Sequence, residues 1–281
     1  MKEPGSHDQL YDSAVRITPL RGSLVDLWRY RALIRLLVGR DLTVRYKRSI
    51  LGVGWTILNP LLSSLVMWLV FSHLLHSQIP GNIPFLVYLL SGVLAVSYFQ
   101  QGVGTAAGSL VASASFLTKV YVPPAIFAFS SACSGAVNFL LGLIPLFVFQ
   151  LVLGVGIFPG AVLIPLPLAF LLAMIAGCGL LLSTYAIRFD DMLNFLNNVV
   201  LVLIFYLTPV FYPITIVPAR YQRLFYLNPM YSYLRIFRFL EYGGTSPSLL
   251  NYAVVGVTGA VGFVLGLSVF VRRWPYVAAL L

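Results

Sequence analysis

The side chains that could do chemistry are few, and their spacing excludes most reactions. Histidine occurs at His7, His73 and His76 only, and no carboxylate stands near His73 or His76 in sequence. A metal centre needs several such donors together, so none is expected. The lysines are Lys2, Lys47 and Lys119; none follows a glycine, so the phosphate-cradling loop G-x-x-x-x-G-K-[ST] is absent. No Ser-His-Asp set and no carboxylate pair can be nominated, and no catalytic residue is expected. What the chain does concentrate is positive charge. Arg45, Lys47 and Arg48 stand within one turn's length, and from Ser49 to Thr118 no Asp, Glu, Lys or Arg follows. Such a cluster can bind a polyanion, or mark the side of a membrane from which a span departs.

Composition decides between these. The 281 residues are 59% hydrophobic and 9% charged, against about 25% charged in a soluble domain. Lipid is the solvent that suits such a chain, and a spanning helix needs about 20 apolar residues. The net charge of +10 is not read as a nucleic-acid footprint, because most cations flank apolar stretches. Cys133 and Cys178 both lie in uncharged segments and read as buried free thiols. The polar start, MKEPGSHDQLYDSA, has no apolar core of a cleavable signal. It reads as part of a cytoplasmic tail, residues 1–22.

Charge-free intervals count the spans. Arg48 to Lys119 and Lys119 to Arg188 each fit two spans joined by a turn, at Ser77–Asn82 and at Gly154–Gly160. Asp191 to Arg220 holds a fifth and Glu241 to Arg272 a sixth. The expected fold is an all-α integral membrane protein with spans near 56–76, 84–107, 125–152, 161–187, 192–213 and 249–271. Six spans put fourteen cations, including Lys119, Arg188, Arg272 and Arg273, on the side of the N-terminus. Arg220, Arg223, Arg235 and Arg238 fall on the other. The positive-inside pattern then places both termini in the cytoplasm.

Three segments between spans carry sequence signal. From Leu27 to Val44 an Arg-rich amphipathic pattern predicts a helix lying at the membrane interface, within 23–48. It is a headgroup anchor, a docking surface for a cytoplasmic partner, or both. Ser113–Pro124 reads as a cytoplasmic turn with Lys119 as its anchor, or as a short helix on which a partner pushes. Tyr212–Ser248 is extracytoplasmic yet strongly apolar, with Asn228-Pro229 breaking it into two short helices that lie in or dip into the outer leaflet. Arg235, Arg238 and Glu241 form a polar stripe on the second. These helices seal the rim or form a lid over an exit. The predicted spans contain no Asp or Glu, which disfavours a proton-driven pump. Uphill transport would draw its energy from another polypeptide.

Four stretches, in this order, resemble the membrane subunit of bacterial polysaccharide ABC exporters, within the ABC-2 permease group. They are GRDLTVRYKRSILGVGWTILNPL, FLTKVYVPP, FYLTPVFYP and LFYLNPMYSYLRIFR, and the likeness runs from about Leu36 to the end. The loop after span four departs from the family's R-D: it reads Arg188-Phe189-Asp190-Asp191, so Asp191 matches the acid and Asp190 replaces the usual arginine. Arg188, two residues before the position of the usual arginine, is the available substitute.

The resemblance implies a six-span ABC-2 type transmembrane domain over 49–281, in the bacterial inner membrane. It implies a homodimer with two copies of a separate ATPase subunit, which would bind ATP and Mg; this chain would hold no cofactor. The substrate would be a polyprenyl-linked glycan such as O-antigen, galactan or a teichoic-acid-like chain. The implied ATPase-docking residues are Arg35, Arg40, Asp41, Arg45, Ser115, Phe116, Lys119 and Asp191. The outer gate would comprise Arg220, Asn228, Pro229, Tyr231, Arg235 and Arg238. Aromatic side chains suit a sliding sugar polymer, and Tyr98, Phe99, Phe205, Tyr206 and Tyr212 are either pore residues or ordinary packing. The rival expectations are an ABC-2 permease for a drug or small lipid, and a membrane scaffold without transport activity.

Overall fold

The computed structural model describes residues 20–47, 49, 51–52, 54–74, 83–117, 122–189 and 191–278. The expected turn at Ser77–Asn82, most of the N-terminal tail, His7, His76, Lys119 and Asp190 lie outside the described residues.

All regular structure among the described residues is helical. The N-terminal segment forms two helices, α1 (Leu20–Arg29) and α2 (Arg31–Tyr46), where a single amphipathic helix was expected. Tyr30, at φ −92° and ψ 20°, makes the joint, and Arg31 covers the Trp28 ring across it at 5.2 Å. The apolar face of α2 is covered by protein. Ile34 and Leu37 are buried against Val122, Ile126 and Phe127, at the start of α6 (Ala125–Val152).

Among the described residues, five helical segments are long and apolar enough to cross a membrane: Gly54–Ser72, Phe85–Ala112, Ala125–Val152, Pro159–Ala186 and Leu249–Val277. They correspond to α3 (Gly54–Leu74), α4 (Phe85–Ala112), α6, a 3-10 turn (Pro159–Leu163) running into α7 (Pro165–Ala186), and α12 (Leu249–Ala278). Between α4 and α6 lies the single turn α5 (Ala114–Leu117). The segment expected as span five is a shorter apolar helix, Asp191–Leu207. It is built from α8 (Asp191–Phe195), a π-helical turn (Leu196–Val200) and α9 (Leu201–Leu207). It ends before the expected residue 213 because Pro209 forces the residue before it out of the helical region; Thr208 is extended at ψ 130°. The last helix runs past the expected residue 271, carrying Arg272, Arg273 and Pro275 within it.

Helix α4 is the centre of the bundle, with Val87, Leu89, Leu90, Ala95 and Val96 wholly buried. Helices α6 and α7 pack on it, and α12 packs on α7. The α7–α12 crossing is close because it is made of glycine: a Cβ at Gly266 or Gly177 would run into backbone of the facing helix. Small residues let spans approach in lipid, where dispersion and not water expulsion holds helices together. Only 6% of the first span is buried within the chain, against 78% of the second.

After α9 the chain continues as α10 (Ala219–Phe225) and α11 (Pro229–Tyr242), the two short helices expected from Asn228-Pro229. α11 is not a surface helix. Tyr233 and Phe237 are wholly buried, Tyr233 donates its hydroxyl to the Val255 carbonyl at 3.1 Å, and Asn251 of α12 donates to Ser232 at 3.1 Å.

Candidate functional site

The site with the most built geometry is where α11 meets the unwound exit of the short apolar helix. Asn228 caps α11, its side chain accepting from the Met230 amide at 3.0 Å, and Pro229 takes the first helical position, where no N–H is needed. The same side chain donates backwards, to Thr208 Oγ1 at 3.0 Å and the Leu207 carbonyl at 3.3 Å. Arg238 lies further along α11. It donates to the Tyr88 and Val210 carbonyls at 3.1 Å, the Pro209 carbonyl at 3.2 Å and Ser91 Oγ at 3.3 Å. Its guanidinium lies 3.6 Å over the Tyr88 ring, and the Tyr88 hydroxyl donates to the Tyr212 carbonyl at 3.0 Å. Gly92 makes room, since a Cβ there would stand 2.7 Å from the guanidinium. Unwound backbone in an apolar surrounding must find donors. Here the carbonyls of Leu207, Pro209, Val210 and Tyr212 are each given one by a side chain.

The expected polar stripe on α11 is therefore no exposed stripe. Arg238 is a clamp, and Glu241 is wholly buried, with no hydrogen-bond partner at either carboxyl oxygen. Burial pushes its pKa up to about 8, against the opposing pull of Arg238. Arg235 and Tyr231 line a cavity of about 350 Å³ with Tyr88, Tyr226 and Tyr242, and Arg238 borders it as well. Burial raises the Tyr231 hydroxyl and Arg235 beside it pulls the other way. Arg220 stays exposed, 4.5 Å over Tyr221.

The expected docking residues divide. Arg35 and Arg40 are exposed on α2, and Ser115 and Phe116 are exposed on α5. Phe116 packs edge-on to Phe127 at 5.9 Å, so α2 and α5 meet at the start of α6. Asp41 turns inward, accepting from Ser134 and from Arg40, each at 3.4 Å. Arg45 lines a groove. Asp191 is exposed at the start of α8. Lys119 lies outside the described residues.

That groove, of about 440 Å³, runs between α3, α4 and α6. Its polar lining includes Thr56, Asn59, Ser63, Ser97, Gln101 and Thr105. A Cβ on Gly104 would meet the amide oxygen of Asn197, so the stretch 194–198 lies alongside the same part of α4. Asn59, Ser63, Gln101, Thr105, Asn194, Asn197 and Asn198 are all exposed on apolar helices, and no acid lies among them. Exposed amides are costly against hydrocarbon and belong against water, a polar ligand or another chain. Neither charge nor aromatic patterning in the spans marks this wall in the sequence. Amides interrupting charge-free apolar runs were the available signal.

The aromatic candidates lie elsewhere. Tyr98 donates to the Ala132 carbonyl at 3.3 Å and packs on Phe139, with an edge at the groove. Phe99 is buried in the core. Phe205 packs edge-on between Tyr206 and Phe211, and Tyr212 meets Phe225 edge-on at 6.4 Å. Of the five, Tyr206 is openly exposed, at 62%.

Comparison with known proteins gives this arrangement a context. A family model described as ABC-2 type transporter matches residues 32–242. An O-antigen export system permease protein of Myxococcus xanthus is 32% identical over 243 residues, covering 83% of this chain and 90% of that protein. One from Klebsiella pneumoniae is 28% identical over 242 residues, with coverage of 85% and 90%. A second from Klebsiella pneumoniae is 26% identical over 244 residues, with the same coverage.

Proposed function

The chain belongs to the ABC-2 type transporter family, and from that membership we propose that it is the permease subunit of an ATP-driven exporter of a lipid-linked polysaccharide. The substrate class is that of the relatives, an O-antigen-like glycan. The chain works in the bacterial inner membrane with both termini in the cytoplasm. It has no ATP site; a separate ATPase subunit, two copies per assembly, binds ATP and Mg and docks on α2 and α5.

The observation that carries this reading is the wall of neutral amides and hydroxyls, exposed along α3, α4 and the helix after Asp191, with Arg45 as the one charged residue in the lining of its groove. A glycan is rich in hydroxyls and passes a wall of weak, exchangeable hydrogen bonds without being trapped. Charged walls would hold counter-ions, and a wholly apolar wall would refuse the polymer. A second copy of the chain closes the path. The almost bare first span, with Leu62, Leu65, Val66 and Leu69 exposed, supports α3 as part of that contact. The exit lies where α11 clamps the unwound segment 208–212.

The test is deletion of the gene in its own cell, with complementation by the full chain. Loss of surface polysaccharide together with accumulation of lipid-linked polymer inside, and recovery of an ATPase with the tagged chain, is the expected result. Normal surface polysaccharide in the deletion strain refutes the reading. Loss of export of a small amphiphile instead favours the drug or lipid permease.

A further inference from the structure

The clamp at Arg238 leaves one group without an account. Glu241 sits one turn along the same helix, on the same face, as residues three apart do. Its side chain is wholly buried and neither oxygen has a donor. Meanwhile Arg238 has committed four of its five N–H groups to the Tyr88, Pro209 and Val210 carbonyls and to Ser91. A guanidinium beside a carboxylate ordinarily pairs with it in a bidentate fork. Here the guanidinium faces away, toward the unwound backbone.

We infer that Arg238 is the positioning residue of the exit segment 208–212 and that Glu241 is its alternative partner, the two arrangements being exclusive. The inference deepens the proposed export reading, in which α11 belongs to the outer gate. With Glu241 protonated, no charge is stranded and Arg238 holds the carbonyls of Pro209 and Val210. When Glu241 releases its proton to water, a bare carboxylate is left in an apolar core with one cation in reach. Turning Arg238 to it satisfies the carboxylate and strips the exit segment of two donors.

Glu241 has few other neighbours to answer to. The surroundings of α11 come from α4, α7, α12 and the 3-10 turn Pro159–Leu163. α4 brings Tyr88, whose ring lies under Arg238. The 3-10 turn has no titratable side chain. α7 brings Cys178 toward Tyr233. α12 carries Tyr252 near its start, with Arg272, Arg273 and Tyr276 in its closing turns. Tyr242 is next in the chain. Arg238 is the charged group that acts on the carboxyl, and burial keeps the carboxyl neutral up to about pH 8.

The test uses the full chain in lipid nanodiscs, with hydrogen–deuterium exchange read on peptides covering residues 207–214 at pH 6.5 and pH 9. Rates are corrected for the intrinsic base catalysis of exchange. The wild type is expected to show at least a several-fold rise in corrected exchange at pH 9. Glu241→Gln, which cannot ionise, is expected to stay at the acid-side rate at both pH values. Arg238→Lys is expected to exchange faster than wild type at pH 6.5, because an ammonium lacks the fork that spans several acceptors. Equal corrected profiles for wild type and Glu241→Gln overturn the inference, and so does a flat wild-type profile. If Arg238→Lys fails to fold, the wild-type and Glu241→Gln comparison decides alone. Surface polysaccharide in the same strains is read separately: normal display by the deletion strain counts against the export reading and leaves the exchange of partners standing.

Discussion

Asn228 offers the sharpest measure of how much the exit depends on α11. Its side chain makes three hydrogen bonds in two directions. As acceptor it caps α11 through the Met230 amide, and as donor it bridges to Thr208 Oγ1 and the Leu207 carbonyl. The cap contributes about 1 kcal/mol. Each of the two donations contributes ~1 kcal/mol, more if the Leu207 carbonyl is left with no donor. Asn228→Ala is therefore expected to cost about 2 to 4 kcal/mol. Asn228→Ser keeps the cap acceptor and is too short to bridge, so it should recover about 1 kcal/mol of that loss. Asn228→Asp also keeps the cap, but it cannot donate. The Thr208 hydroxyl already donates to the Ile204 carbonyl at 2.7 Å, so an aspartate there would set oxygen against oxygen. The expected order of stability is Asn, then Ser, then Asp and Ala. The assay is equilibrium unfolding of the purified full-length chain in mixed micelles, followed by helical circular dichroism. A loss below ~0.5 kcal/mol for Asn228→Ala, or an Asp variant as stable as wild type, would refute the bridge.

Four other outcomes follow from the same geometry. Gly266→Ala should destabilise the chain by about 1 to 3 kcal/mol through overpacking against Gly177. Gly256→Ala, with open space around it, should be neutral or slightly stabilising, and the same unfolding assay separates them. Glu241 has a pKa pushed up to about 8 from an ordinary 4.5. Between those values the folded chain keeps a proton that the unfolded chain has released, so stability falls as pH rises through that window and levels off above it. Glu241→Gln should remove the slope and exceed wild type at pH 9 by a few kcal/mol, at about 1.4 kcal/mol per unit; equal midpoints at pH 5 and pH 9 in wild type would contradict this. Replacing Gln101 and Asn198 together by Leu should cut surface polysaccharide several-fold while the protein level in the membrane holds; undiminished display removes these amides from the path. A cysteine at Val66 in the cysteine-free chain should form a cross-linked dimer in membranes, and monomer alone under oxidation would place the contact elsewhere.

The membrane character was legible because it is a matter of one-dimensional counting. Twenty apolar residues without charge cross a bilayer whatever they pack against, and prolines mark helix ends by local sterics. Hence the starts at Pro84, Pro124 and Pro229 agree with expectation to within a residue. The end of the helix after Asp191 was misjudged by six residues, because hydropathy continues through Thr208–Tyr212 while backbone geometry does not. The N-terminal pattern announced an amphipathic helix. It could not say that Ile34 and Leu37 would find the start of α6 for cover, since an apolar stripe reads the same facing lipid or protein.

The residue order alone fixed the solvent, the helical class and the order of the apolar spans. It also carried the family likeness, because motifs survive in linear order. Tertiary structure alone decided which polar residues face out and which are tied. Arg235 and Arg238 stand three apart on one helix and look alike in sequence. Both border one cavity, but Arg238 alone of the two reaches across it to hold three carbonyls and a hydroxyl contributed by two other segments. Glu241 ends the polar stripe in the sequence and is a buried carboxyl with no donor. Those differences arise from contacts between residues up to 150 positions apart, and no local pattern encodes which acceptors such contacts will bring.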